Sequence, residues 1–233
     1  MVESAVVKLI LFDVDGTLLR CGVQVRDLFT GALTEVFGGH APVDGFRFAG
    51  KTDPQIVLEL VRPLGLDDGA ILARLPEMRE AYRRRLAAGL ERDRMELLPG
   101  VVPLLERLAE RDDVAIGLLT GNWQATAQVK LGRFDLDRFF PFGAFGDDGV
   151  DRRQLAPVAL DRAAATTGRR FAPADALIIG DSHRDVDCAR AAGIPSLAVA
   201  TGFATPGALA RAGADWVYPD LERAAREHPL LAA

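Results

Sequence analysis

The stretch Val7-Lys8-Leu9-Ile10-Leu11-Phe12-Asp13-Val14-Asp15-Gly16-Thr17-Leu18-Leu19 carries an apolar run into two carboxylates and a glycine. Val7 and Leu9 to Phe12 have the pattern of a strand buried on both faces of a parallel sheet. Gly16 gives the backbone the freedom to leave the sheet. Asp13 and Asp15 then stand at the carboxyl end of that strand, the edge where open α/β sheets bind ligands. A lone D-x-D-G is explained equally well as turn chemistry. Two later segments repeat the arrangement, however. Thr120-Gly121-Asn122 follows the apolar run 114–119, and Gly180-Asp181-Ser182-His183-Arg184-Asp185 follows the run 176–179.

Outward from Leu19 the period changes from two to about 3.6. Val25, Leu28, Phe29, Ala32, Leu33, Val36 and Phe37 mark an amphipathic helix that Gly38-Gly39 stops. Thr52-Asp53-Pro54-Gln55 reads as a capping box opening a helix that Pro63 and Gly65 end. Residues 67–92 are helix-prone, with Pro76 as a break or first-turn residue. No strand is expected between Leu19 and Leu97. After Pro99-Gly100, strands and helices alternate: strands at 114–119, 142–145, 176–179, 196–200 and 216–218, helices at 101–111, 123–131, 155–166, 185–192 and 206–212. Asn122 is expected to N-cap the helix at Trp123. The tail after Glu227 is expected to be loosely held. The fold class is therefore α/β, a parallel sheet covered by helices on both faces, with a separate helical segment inserted after the first strand.

These motifs, in this order, resemble the haloacid dehalogenase superfamily in its Mg-dependent, phosphoglycolate-phosphatase-like branch. Asp13-Val14-Asp15-Gly16-Thr17 is similar to its motif I, Thr120-Gly121-Asn122 to motif II and residues 180–185 to motif IV. The resemblance implies a Rossmann-like α/β/α core of residues 1–17 and 96–233, with a helical cap of residues 18–95. It implies Mg²⁺ held by Asp13, the Asp15 carbonyl and Asp181, with Asp185 as the outer member. Asp13 would be the nucleophile that becomes phosphorylated, and Asp15 the acid–base group. Thr120, Gly121 and Asn122 would bind the phosphoryl group. Motif III normally holds a lysine; here the equivalent is Arg152, with Arg153 as the alternative. Gly50-Lys51-Thr52-Asp53 resembles the branch's substrate loop, which makes Lys51 a candidate for an anionic leaving group.

The motif residues also suit this chemistry on their own terms. Converging carboxylates repel by about 4 kcal/mol per pair at 4 Å and an effective dielectric of 20, so they call for a cation. Without a Cys or His cluster they are hard oxygen ligands, which suit Mg²⁺ and a phosphate substrate. The chain has 233 residues, 49% hydrophobic and 26% charged, with a net charge of -5. That balance argues against a large nucleic-acid footprint and fits a small phosphorylated metabolite. Cys21 and Cys188 cannot build a disulfide framework, which makes a reducing cytoplasm the simplest setting. The first apolar run reads as a strand rather than a signal peptide, and no stretch reaches membrane-spanning length. A monomer or homodimer is expected. Two alternatives to a phosphatase stay open: a phosphosugar mutase using the same phosphoaspartate, and a phosphoacceptor or phosphate-binding protein without turnover.

Overall fold

The computed structural model describes residues 8–232; Val7 of the expected first strand lies outside them. In chain order the strands are β1 (Lys8–Phe12), β2 (Leu19–Arg20), β3 (Glu96–Leu97), β4 (Val114–Leu119), β5 (Gly143–Ala144), β6 (Ala176–Gly180), β7 (Ser196–Val199) and β8 (Trp216–Tyr218). Six of them form one parallel sheet in the order β5-β4-β1-β6-β7-β8. β1 is central because Leu9 to Phe12 are apolar on both faces, and all four are fully buried. Its register pairs Phe12 with Leu118 on one side and with Ile179 on the other. The Asp13 N–H extends that pairing to the Ile179 carbonyl, at 2.9 Å. Asp13, Thr120 and Asp181 thus follow directly on the ends of three strands of the sheet.

The helices are α1 (Gln24–Phe37), α2 (Asp53–Val61), α3 (Asp68–Ala73), α4 (Leu75–Gly89), α5 (Val101–Ala109), α6 (Gln124–Gly132), α7 (Leu155–Thr167), α8 (His183–Ala192), α9 (Pro206–Ala212), α10 (Leu221–Glu227) and α11 (Pro229–Ala232). α1 packs on α4, and α4 also packs on α6. The stripe Phe29, Leu33, Val36 of α1 and the stripe Met78, Tyr82, Leu86 of α4 are buried, as the spacing requires. Truncating Leu33 to Ala there would cost about 2–5 kcal/mol. Gly38 ends α1 at φ 80, a left-handed conformation that glycine adopts without penalty.

Four expectations are corrected. Where no strand was expected, Leu19–Arg20 and Glu96–Leu97 pair antiparallel, tying the two crossings into and out of the helical segment together. Two residues are too few to show a period. β5 is shorter than 142–145, because the Phe145 N–H turns away to the Asp148 carboxylate (2.9 Å). Thr52 accepts the Gln55 N–H (3.2 Å), but Gln55 does not reach back: its amide donates to Glu59 (2.9 Å). The tail is tied down. Leu231 is fully buried, and Arg111 donates to the Leu230 carbonyl at 2.8 Å.

Candidate active site

The carboxyl edge of the sheet gathers Asp13, Asp181 and Asp185, each buried, with one carboxylate oxygen of each within 4.8 Å of the others. Arg152, in a short 3-10 turn before α7, enters this cluster from the side. Its Nη2 alone donates to Asp13 Oδ1 (2.8 Å), to Asp185 Oδ1 (2.5 Å) and to the Leu119 carbonyl (3.0 Å). Arg153 points outward to Asp151, and its side chain is 64% exposed, so only Arg152 reaches the cluster. Asp185 is also tied at its other oxygen by Ser182 N–H (3.0 Å) and Ser182 Oγ (2.6 Å), which fixes the start of α8. Burial, then the neighbouring Asp185 charge, pushes the Asp13 and Asp181 carboxyls above the usual range, while Arg152 opposes the rise. Burial disfavours the Arg152 guanidinium, but Asp185 and Asp13 more than compensate and hold it charged.

Three carboxylates against one guanidinium leave two negative charges uncompensated when all three are ionised. A divalent cation would cancel them. Gly16 and Gly202 let the backbone pack directly against the Asp181 carboxylate and hold it in the cluster, since a Cβ on either would fall on it. Among the described residues, Arg152 Nε and Thr17 Oγ1 are buried without a hydrogen-bond partner. An all-oxygen donor set of this kind suits a hard metal ion.

Asp15 belongs to a second group. Its Oδ2 accepts from Asn122 Nδ2 (2.8 Å) and from Lys130 Nζ (2.6 Å), and Lys130 also donates to Asn122 Oδ1 (2.5 Å). The Lys130 side chain is only 3% exposed. Burial disfavours its ammonium, yet Asp15 and the polar groups around it raise its pKa well above the ordinary lysine value. Asn122 does not cap the following helix. The Asp53 carboxylate takes the Trp123 N–H instead (2.9 Å) and Asp147 takes that of Gln124 (2.6 Å), because Asn122 Oδ1, the atom that would cap, already accepts from Lys130.

Asp53 comes from the helical segment, and burial, partly offset by Lys130, pushes its carboxyl up to about 7. Its own N–H donates to the Gly121 carbonyl (2.7 Å), and Thr52 Oγ1 donates to Val150 (2.5 Å). The loop 50–53 is therefore docked on residues 120–123. A Cβ on Gly121 would collide with the Lys51 carbonyl, and one on Gly50 with Ser182 and Arg184. Lys51 itself forms an ion pair with Glu59 and lies 4.1 Å from the centre of the Phe46 ring.

Asp13, Asp15, Lys51, Asp53, Asn122, Lys130 and Arg152 open onto one cavity of about 460 Å³ between the sheet edge and the helical segment. A family model described as haloacid dehalogenase-like hydrolase matches residues 10–199. The chain belongs to that family. It is 29% identical over 213 residues to the phosphoglycolate phosphatase of Synechococcus elongatus, covering 89% of this chain and 91% of that one. With the phosphoglycolate phosphatase of Rhodospirillum rubrum it shares 30% identity over 218 residues, 87% and 86% of the two chains. A hydrolase from Pseudomonas syringae has the same fold, with a TM-score of 0.70, 23% identity and coverage of 97% and 100%.

Within this haloacid dehalogenase-like chain the structure brings together Asp13, Asp15, Thr120, Gly121, Asn122, Lys51 and Arg152 on the cavity wall, with Asp181 and Asp185 in the acidic cluster beside Asp13. Lys51 is there, but with its charge already matched by Glu59. Sequence reasoning missed Lys130. The signal existed: Thr126, Ala127, Lys130 and Leu131 make up one buried helical stripe, and a lysine on an apolar stripe needs a buried partner. It also missed Asp53 as the group that holds the helical segment to α6.

Proposed function

We propose that this chain is a Mg²⁺-dependent phosphatase of small phosphomonoesters, working through an aspartyl phosphate on Asp13. The observation that carries the reading is the buried cluster Asp13, Asp181 and Asp185 at the strand ends, joined to Arg152. Asp13, Asp181 and the Asp15 carbonyl would hold Mg²⁺, with Asp185 at its outer side. When bound, the ion offsets the repulsion between two anions and polarises the phosphoryl oxygens. The names of the curated relatives support a phosphate ester as substrate.

Asp13 attacks phosphorus as the bond from phosphorus to the alcohol oxygen breaks. Arg152 aligns the Asp13 carboxylate and binds the phosphoryl group, a task to which a guanidinium is suited. Thr120 and the backbone of Gly121 and Asn122 hold the remaining phosphoryl oxygens. Asp15 gives its proton to the departing alkoxide. Its Oδ2 is occupied by Asn122 and Lys130, which leaves Oδ1 to carry that proton. Water then attacks the phosphorus of the acyl phosphate and returns a proton to Asp15, and phosphate leaves with Asp13 regenerated.

Residues 18–95 act as a cap whose loop 50–53 closes on the Thr120-Gly121-Asn122 turn and excludes bulk water. The ribbon Leu19–Arg20 with Glu96–Leu97 stands where the two parts join. Phosphate release from 4-nitrophenyl phosphate, with Mg²⁺ and with chelator, in wild type and in Asp13→Asn, tests the reading. Turnover that needs Mg²⁺ and vanishes in Asp13→Asn is the expected result. Turnover that persists in the folded variant would reject the nucleophile.

A further inference from the structure

The part of the cavity away from Asp13 differs from what a small anionic alcohol would need. Phe46, Phe48, Phe29 and Tyr82 form a continuous aromatic wall, with ring centroids 4.8 Å apart for Phe46–Phe48, 6.3 Å for Phe29–Phe48 and 4.8 Å for Phe29–Tyr82. At the mouth stand Val23 and Phe203, exposed at 72% and 95%. Large apolar side chains so exposed at the rim of a pocket mark a binding surface rather than a core.

The buried cations lining the same cavity are already matched, and the exposed Arg20 and Arg26 each have a carboxylate beside them. Lys51 pairs with Glu59, Arg20 with Glu96, Arg26 with Asp27, Lys130 with Asp15, and Arg152 with Asp13 and Asp185. The Lys51 ammonium also lies over the Phe46 face, which lowers its call for a further anion. A carboxylate on the leaving group would have to displace Glu59. An apolar ring would need to displace only water.

Resting on the phosphatase reading, we propose that the substrate is a phosphomonoester whose alcohol carries an aromatic ring, bound against Phe46 and Phe48. A cavity of about 460 Å³ is of the size that takes a ring-bearing ligand, since such sites commonly run to about 300–1,000 Å³. The ring lies edge-on or offset against the phenylalanine faces. Glu59 is the specificity-determining residue that turns away anionic alcohols by neutralising Lys51.

The test compares ethyl phosphate, 2-phenylethyl phosphate and phosphoglycolate. All three release alkyl alcohols, so the chemical step is comparable and the pocket decides the order. Burying the phenyl ring raises kcat/KM for 2-phenylethyl phosphate about thirtyfold over ethyl phosphate. In Phe48→Ala the ratio of the two falls toward one, and a ratio is insensitive to how much of the variant folds. In Glu59→Gln, with Lys51 released, the ratio of phosphoglycolate to ethyl phosphate rises about tenfold or more.

Hydrolysis of all three with a ratio near one for the phenyl compound, or with phosphoglycolate preferred in wild type, overturns this inference and leaves the phosphatase reading standing. Hydrolysis of none of them, nor of 4-nitrophenyl phosphate, in the presence of Mg²⁺ overturns both.

Discussion

Replacing Arg152 with Met leaves the shape of the site close to its original and takes away the only positive charge bonded to Asp13 and Asp185 among the described residues. At 2.8 Å from Asp13 Oδ1, a unit charge contributes about 6 kcal/mol of attraction at an effective dielectric of 20. The contact to Asp185 at 2.5 Å contributes similarly. Burying the guanidinium offsets most of that sum, so the measured loss should be that of a broken buried ion pair, about 3–5 kcal/mol. For a chain of this length each kcal/mol moves the melting temperature by about 2–4 °C. Arg152→Met should therefore melt roughly 6–20 °C lower than wild type in chelator. Mg²⁺ should restore more stability to the variant than it adds to wild type, because the ion takes over the compensation of the same carboxylates. Since Nη2 alone makes the three contacts to Asp13, Asp185 and Leu119, a lysine nitrogen can stand in for it, and Arg152→Lys should recover at least about half of the loss. Thermal melts of the three proteins, with chelator and with Mg²⁺, read this out alongside phosphate release. Equal melting temperatures for wild type and Arg152→Met in chelator, or equal losses in the Lys and Met variants, would refute the charge argument.

Asp53 gives a pH dependence of the opposite sign from that of an ordinary paired carboxylate. Its pKa rises in the fold from 3.8 to about 7, so the folded state holds the extra proton between these values. Stability falls as pH rises through that window, by up to about 1.4 kcal/mol per pH unit, and levels off above it. Asp53→Asn should thus be more stable relative to wild type at pH 7.5 than at pH 5 in urea titrations, and an identical difference at both would count against the assignment. Lys130→Met should take away the buried donor that, with Asn122, holds Asp15 Oδ2 in place, and leaving-group protonation should suffer from the lost orientation. Ethyl phosphate, with its basic alkoxide, should then lose about tenfold more turnover than 4-nitrophenyl phosphate, whose phenolate leaves without help. A loss shared equally by both esters would reduce Lys130 to a packing role.

The centre of the sheet was legible because β1, β4 and β6 are dense apolar runs of five or six residues ending in polar clusters. The same ends held the acidic residues, so Asp13, Asp15, Asp181 and Asp185 could be expected to converge; Asp13, Asp181 and Asp185 do so, while the Asp15 carboxylate turns to Asn122 and Lys130. Arg152 was within reach through the resemblance to motif III, with Arg153 as the alternative, and it lies in the short turn just before α7. What stayed hidden depends on groups that meet across long separations. Lys130 and Asp15 are 115 residues apart, and Asp53 and Trp123 are 70 apart. Asn122 looked like a helix cap for a local reason, and only the arrival of Asp15 and Lys130 explains why it is not one. The Lys51–Glu59 pair is closer in sequence, one face of a loop and helix, yet nothing in the sequence separates it from a lysine waiting for substrate.

The most direct test of the central claim is to catch the phosphorylated enzyme. Wild-type protein turning over a phosphate ester with Mg²⁺ is quenched in acid within milliseconds and reduced with borohydride, which converts an aspartyl phosphate to homoserine, and the digest is read by mass spectrometry. The modification should be found at position 13, should build up with substrate and should be absent without Mg²⁺. Steady turnover with position 13 unmodified, or with the modification at Asp15, Asp181 or Asp185 instead, would contradict the assignment of Asp13 as the residue that takes the phosphoryl group.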